Sequence, residues 1–367
     1  MKILYITDAR LPTEKAHGLQ IMKTCEALAH AGHNVELIAP RRRNSMRDDP
    51  FSYYEVSRSF SLRTLFTIDL IRFGRTGFLV QEISFAIAAA IFLFGRNGAI
   101  YSRDEVVLSV LSVLGYERMI WESHDGAWNL AARFVSRHVQ FIAVVSLGLR
   151  DFYVEQDVPR EKVIVIPNGI DLAQFEHPQL KSEARLRLSL PQNKPIALYI
   201  GRLDGWKGTR TLLEASKLLD SVCVALIGGG ADMEKLKAQY PRVTFVGPRP
   251  YSELSHNQAA ADVLVVPNTS TSLISTRFTS PLKLLAHMAS NIPIVASDLP
   301  SIRELVGNDA ALLVSPDNPQ ALAEGIKKIL ADNALAGKLA RRARTVVERY
   351  SWTARAEAIS AMLSRVL

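Results

Sequence analysis

Arg202 and Lys207 stand five residues apart in Gly201-Arg202-Leu203-Asp204-Gly205-Trp206-Lys207-Gly208. This glycine-rich turn joins an apolar run, Ile196 to Ile200, to a stretch where Leu212, Leu213, Ala215, Ser216 and Leu219 recur at helical spacing. A guanidinium can fork two phosphate oxygens while an ammonium adds a mobile point charge, so the pair reads as a seat for a diphosphate. A turn leaving the carboxyl end of a buried parallel strand faces the crevice where α/β proteins bind ligands. The next helix points unpaired N–H groups and its positive end there. Ordinary surface cations on a loop are the alternative, and the rest of the chain decides between them.

Elements that could position such a turn repeat along the chain. The first half opens with a strand from Lys2 to Thr7, a helix from about Gly18 to Ala31, and a strand from Val35 to Ile38. After a basic, irregular segment come a helix around Ile83 to Phe94 and strands at Ile100-Tyr101, Met119 to Trp121, Phe141 to Val145 and Val163 to Ile166, with helices between them. The second half repeats the logic with strands at Ile196 to Ile200, Val222 to Ile227, Val243 to Val246, Val263 to Val266, Ile294 to Ala296 and Ala311 to Val314. Strands alternating with helices at this spacing imply doubly wound parallel sheets. The stretch from Asn168 to about Lys194, with Pro178 and Pro191, reads as a linker. Two α/β domains are expected, 1–170 and 171–350, with a final helix at 351–367 packing back on the first. Their carboxyl edges would share one cleft.

Composition is that of a globular protein, with 48% apolar residues in 367. No apolar run approaches the roughly 20 residues of a membrane span, the longest candidate being Ile83 to Phe94. Lys2 leads straight into a strand, so no signal peptide is expected, and Cys25 and Cys223 lack any metal-like spacing, which favours a reduced, cytoplasmic setting. The net charge of +8 is uneven: residues 41–103 carry ten arginines against five acids, beside Phe66, Phe73, Phe78, Phe85, Phe92 and Phe94. Basic side chains flanking apolar helices suggest a face resting on the inner, anionic surface of a membrane, the alternative being a solvated basic surface over core helices. Nucleic acid would explain the charge but not the ordered motifs.

Those motifs, in order, are His17-Gly18, His124-Asp125, Val144-Val145-Ser146, Val165 to Asp171, Gly201 to Gly208, Ile227 to Gly230, Phe245 to Gly247, and Ser280-Pro281-Leu282-Lys283 through Ser297. Together they resemble the retaining glycosyltransferases of family 4, which have the GT-B fold of two Rossmann-like domains. The resemblance implies transfer of a sugar from a nucleotide diphosphate donor, with retention, onto a cell-surface glycan or lipid-linked acceptor. It implies no separate cofactor and no metal, since Arg202 and Lys207 can meet the growing charge of the leaving group. The N-terminal domain would take the acceptor and the C-terminal domain the donor.

By the same resemblance, Ser280 with the amides of Leu282 and Lys283 would hold the distal phosphate, Lys283 adding a third cation. Gly201 and Gly228 would let backbone approach the donor, and Gly247 with Arg249 would lie at the nucleotide base. Gly18 would bring its helix start near phosphate or acceptor. His124 would position the donor sugar without acting as a general base, and Asn168-Gly169 would be a hinge whose closure excludes water. One departure bears on turnover. The family commonly carries two glutamates eight positions apart, where this chain has Phe278 and Ala286. A nucleotide-sugar-binding scaffold without turnover is therefore the competing reading.

Overall fold

The computed structural model describes residues 1–203 and 205–365, so Asp204 within the glycine-rich turn lies outside the described residues. The chain forms two units, Met1–Gly169 with Trp352–Leu367, and Ile170–Ser351. The first is built from β1 (Lys2–Ile6), α1 (Ala16–His30), β2 (Asn34–Arg41), α2 (Pro50–Tyr53), β3 (Ser61–Phe66), α3 (Gly74–Leu93), β4 (Ala99–Ser102), α4 (Glu105–Val113), β5 (Met119–Ser123), α5 (Leu130–His138), β6 (Phe141–Val144), α6 (Leu147–Val154) and β7 (Val163–Val165). Among the described residues its strands make one parallel seven-stranded sheet, ordered β3-β2-β1-β4-β5-β6-β7. The central strands β1, β4 and β5 are almost wholly buried because helices cover both faces. Helix starts follow local chemistry: the side chains of Asn129 and Ser146 accept from the amides of Ala132 and Leu149, capping α5 and α6.

The second unit contains α7 (Lys181–Arg187), β8 (Ile196–Ile200), α8 (Thr209–Ser216), β9 (Cys223–Ile227), α9 (Met233–Gln239), β10 (Thr244–Gly247), α10 (Leu254–Gln258), β11 (Val263–Val266), α11 (Leu282–Ala289), β12 (Ile294–Ser297), α12 (Pro300–Val306), β13 (Leu312–Val314), α13 (Pro319–Ala331) and α14 (Asn333–Val347). Its parallel six-stranded sheet runs β10-β9-β8-β11-β12-β13 among the described residues. The last helix, α15 (Trp352–Leu363), returns to the first unit and lies against α1. Its Ala356, Ile359, Met362 and Leu363 share a core with Ile3, Tyr5 and Met22.

Three expectations are corrected. The segment read as irregular contains β3, an edge strand paired with β2 from Glu36↔Ser61 to Arg41↔Phe66. Its outward side chains are exposed, so it lacks the apolar run that marks the central strands. The helix expected around Ile83 to Phe94 begins at Gly74 and follows a 3-10 turn. The stretch Ile71–Leu93, 23 residues containing an 18-residue window of mean hydropathy 1.8, is long and apolar enough to cross a membrane by length and composition. Gly77 lies inside α3, where any side chain would meet the Leu70 carbonyl oxygen, 1.8 Å from the Cβ position. Finally, the expected linker is built into the second unit. Ala184, Leu188 and Leu190 join its core, and buried Arg185 donates to the Ala260 carbonyl at 3.0 Å and pairs with Asp262 at 2.5 Å.

Candidate active site

In each sheet the strand order reverses once, and polar residues collect at both reversal points. In the second unit this point lies between β8 and β11. Three expected glycines stand beside it, at the carboxyl ends of β8, β9 and β10: the Gly201 amide donates to the Ile227 carbonyl at 2.9 Å, and the Gly228 amide to that of Gly247 at 3.0 Å. Gly228 has φ 144°, and a Cβ there would stand 1.9 Å from the Gly201 oxygen. Arg249, two residues beyond Gly247, is exposed. Gly208 ends the turn in the left-handed region, φ 72°, against the Pro267 carbonyl, so the turn after β8 abuts the segment after β11. The Thr269 amide donates to the Trp206 carbonyl at 3.1 Å and fixes the same junction.

The turn carries its cations differently. Arg202 is exposed, and its carbonyl accepts from the Tyr199 hydroxyl at 2.6 Å. Lys207 closes a 3-10 turn, Gly205–Lys207, with Nζ 3.4 Å from the centre of the Trp206 ring. Lys283, in the first turn of α11, has a buried Nζ 4.7 Å from the centre of the Tyr199 ring, without a hydrogen-bond acceptor. Burial, then the charge of Lys207, holds its pKa well below the usual lysine range. Buried Ser280 precedes it, and Leu282 opens the helix, so Lys207, Ser280, Leu282 and Lys283 share one corner of the unit. Sequence reasoning missed Asn268, two residues past β11, which is fully buried with neither amide atom hydrogen-bonded. Phe278 and Ala286, at 4% and 1% exposure, are packed inside.

The first unit reverses between β1 and β4 and holds a cavity of about 750 Å³, lined among others by Asp8, His17, Arg42, Arg103, Asp104 and His124. The Asp8 amide donates to Asp104 Oδ2 at 2.5 Å, and Gln81 Nε2 to Asp8 Oδ1 at 2.5 Å. Burial, then the neighbouring Asp8, lifts the Asp104 carboxyl well above its ordinary range. At the far wall, one oxygen of buried Glu122, Oε1, accepts from Arg103 Nη2 at 2.9 Å, Arg355 Nη2 at 2.5 Å and His124 Nε2 at 2.5 Å. Burial pushes Glu122 upward, but Arg103, Arg355 and His124 outweigh it and keep the carboxylate ionised. Burial, aided by Arg103, lowers His124 to about 4 against the pull of Glu122. A neutral imidazole that donates through Nε2 keeps Nδ1 as an acceptor.

The glycine near the start of α1 packs against a tyrosine. A Cβ at Gly18 would fall 2.0 Å from the Tyr54 hydroxyl, which bonds the amide and carbonyl of Thr13 at 2.7 and 2.8 Å. The close neighbour of Gly18 is the protein's own tyrosine. Of the cavity residues, sequence reasoning found His124 and missed Asp8, His17 as a lining residue, Arg103, Asp104 and Glu122. Arg355 arrives from α15, bonded also to the carbonyls of Ile166 and Pro167 at 2.7 and 2.8 Å.

Two parallel, doubly wound units, each with a polar site at its reversal point, define the GT-B architecture of glycosyltransferases. The chain belongs to glycosyltransferase family 4: residues 18–174 match the model of Glycosyltransferase Family 4 and residues 194–332 that of Glycosyl transferases group 1. It is 32% identical over 166 residues to TuaC of Bacillus subtilis, assigned to teichuronic acid biosynthesis, covering 45% of this chain and 40% of that protein. It is 27% identical over 237 residues to sulfoquinovosyl transferase SQD2 of Arabidopsis thaliana, covering 62% and 44%. The chain spans about half or less of these relatives' length. Among solved structures, sucrose-phosphate synthase of Thermosynechococcus elongatus superposes with TM-score 0.81 at 23% identity over 99% of this chain and 98% of that one. HepE of Anabaena, solved with UDP and glucose, gives 0.79 at 18% over 99% of each.

Proposed function

We propose that this protein transfers a sugar, with retention at the anomeric carbon and without a metal, from a nucleotide diphosphate sugar to a hydroxyl of a cell-surface glycan or lipid-linked acceptor. The second unit holds the donor and the first the acceptor, with the protein acting at the inner face of a membrane. The observation that carries the reading is the set of cations Lys207 and Lys283 beside Ser280 and the start of α11, with Arg202 on the same turn. Charge builds on the diphosphate as the glycosidic bond breaks, and preformed cations meet it without reorganising. An arriving diphosphate favours the ammonium form of buried Lys283, where screening is weak. The relatives named above act on sugars, and the HepE complex holds UDP and glucose.

In the first unit, neutral His124 accepts a sugar hydroxyl through Nδ1 while Glu122 fixes its ring. Its low pKa suits an acceptor of hydrogen bonds better than a proton shuttle at neutral pH. Asp8 and Asp104 face the same cavity as acceptors for hydroxyl groups. The test is a thermal-shift panel of nucleotide diphosphate sugars followed by a transfer assay. One donor should stabilise the protein, and Lys207→Met should lower kcat by about 100- to 1000-fold with the fold intact. Failure of every donor to stabilise the chain overturns the reading.

Buried Phe278 and Ala286, where relatives commonly carry carboxylates, favour a second reading, a scaffold that binds donor without turnover. Donor-induced stabilisation with neither hydrolysis nor transfer would select it. Ala286→Glu discriminates less well, because the new carboxylate would enter a packed core.

A further inference from the structure

Among the described residues the exposed large apolar side chains are not scattered. Of twenty, thirteen fall between Phe66 and Leu130. Helix α3 carries six of them. Its inner face, with Gln81, Phe85, Ala89 and Leu93, is buried in the first unit, while Leu79, Ile83, Ile87 and Ile91 recur every four residues on the outer face. From Phe78 to Phe94 this apolar stripe runs for about 24 Å at 1.5 Å per residue. At its end Ile91, Phe94 and Leu130, at 72%, 87% and 83% exposure, rim an apolar groove of about 1220 Å³ between α3, α4 and α5. A soluble surface rarely leaves so large an apolar patch uncovered.

Charge says what covers it. Arg72 and Arg75 flank the stripe at its start and Arg96 at its end, and Glu82 is the one acid in the sequence of α3. Arg72 lies over the Phe73 ring and Arg96 over the Phe92 ring, at 4.7 and 3.8 Å, so both cations sit at the apolar margin. A second copy docked by a two-fold axis would bring arginine-rich ends together in either orientation, with little acid to pair them beyond Glu36, which already holds Arg96 at 3.1 Å. A helix with one face locked into a protein core also cannot leave it to span a bilayer. Apolar side chains bordered by arginines at both ends match an anionic phospholipid leaflet, with the helix lying in its plane.

We propose that the outer face of α3 and the adjoining groove dock on an anionic phospholipid leaflet, with α3 parallel to the membrane. Ile71 and Phe78 of the same stretch line the polar cavity of the first unit, so docking brings the mouth of that cavity to the headgroup plane. The surface is thereby assigned a partner. That the cavity then receives a membrane-borne acceptor rests on the function proposed above.

The experiment is flotation with phosphatidylcholine vesicles and with vesicles containing phosphatidylglycerol. Binding should favour the anionic vesicles and weaken with added salt. Ile83→Glu/Ile87→Glu/Ile91→Glu changes three exposed side chains outside the polar cavity and should cut binding roughly tenfold or more. Its circular dichroism, donor-induced thermal shift and transfer to a soluble acceptor should match the parent. Equal recovery with both vesicle types, or undiminished binding of the folded triple variant, overturns the proposal. So does a concentration-dependent dimer that the triple variant abolishes, since the face would then belong to a second copy. Vesicle binding by a protein that never transfers sugar leaves the docking surface standing and removes the enzymatic reading.

Discussion

The two reversal points are made of different material. In the second unit, backbone does the shaping: Gly201, Gly228 and Gly247 stand on neighbouring strands, joined by main-chain hydrogen bonds of 2.9 and 3.0 Å. In the first unit, side chains reach across the fold, and Glu122 gathers His124 from two residues away, Arg103 from nineteen and Arg355 from 233. A backbone cradle closed as tightly as at Gly228 tolerates no added methyl. A charge network tolerates shape change but not the loss of a partner. The contrast makes the units vulnerable to opposite kinds of substitution.

Arg355→Met should have the largest effect. It strips two carbonyl oxygens of a donor and leaves Glu122 with Arg103, His124 and the Tyr5 hydroxyl at 3.5 Å, in a place where Arg355 is 4% exposed. Breaking one side of a buried ionic network costs about 3–5 kcal/mol. Guanidinium denaturation should show that loss in the first unit, with the donor-induced shift retained by the second. A loss under about 1 kcal/mol would mean that the network is dispensable and the contrast between units false.

The same difference in material explains what was legible in sequence. Gly201, Arg202 and Lys207 lie within seven residues, and glycine has few reasons to recur on a strand-to-helix turn, so the second site announces itself locally. Strands Ile196–Ile200 and Val263–Val266 were also plain, being apolar runs bounded by turn residues. Asp8, Asp104 and Arg355 each look like ordinary surface charges in their own neighbourhoods, and only the pairing of β1 with β4 and the return of α15 make them a site. Gly18 shows the converse: its place at the helix start suggested a close approach, and only the fold shows that Tyr54 is one of its neighbours. Edge strand β3 and the early start of α3 were hidden because an exposed strand and a glycine-bearing helix lack the periodicity that betrays buried elements.

Gly228→Ala sharpens the comparison from the other side. The added methyl would stand 1.9 Å from the Gly201 oxygen at φ 144°, so strands β8 and β9 must separate at their carboxyl ends. Strain of this kind costs about 1–3 kcal/mol. The expected signature is a modest drop in melting temperature with loss of the donor-induced shift. A control, Gly32→Ala, also has a positive φ, 87°, but open space around its Cβ and should leave that shift unchanged. If both variants lose the shift alike, close packing at Gly228 is not what shapes the site.

The smallest expected effect is a difference in how the two units respond to acid. His287 on α11 is fully buried, with Gln258 Nε2 donating to Nδ1 at 2.8 Å; burial, then Lys283, lowers its pKa to about 3. Being lowered, it stays neutral in the fold while the unfolded chain takes up a proton below pH 6.5. Its contribution is complete above that pH and is lost at about 1.4 kcal/mol per unit as pH falls toward 3. His17 and His124, both lowered to about 4, push the first unit the same way. There, however, burial raises Glu82 to about 7 and lifts Asp8 and Asp104, so those groups hold protons in the fold that the unfolded chain has released. Their cost therefore shrinks as pH falls toward the ordinary carboxylate range, offsetting the histidines. Hydrogen exchange corrected for intrinsic rate should show protection in α11 and β12 declining between pH 7 and 5 more steeply than in β1 and β4. His287→Gln should remove the excess slope, and parallel declines in both units would break the comparison.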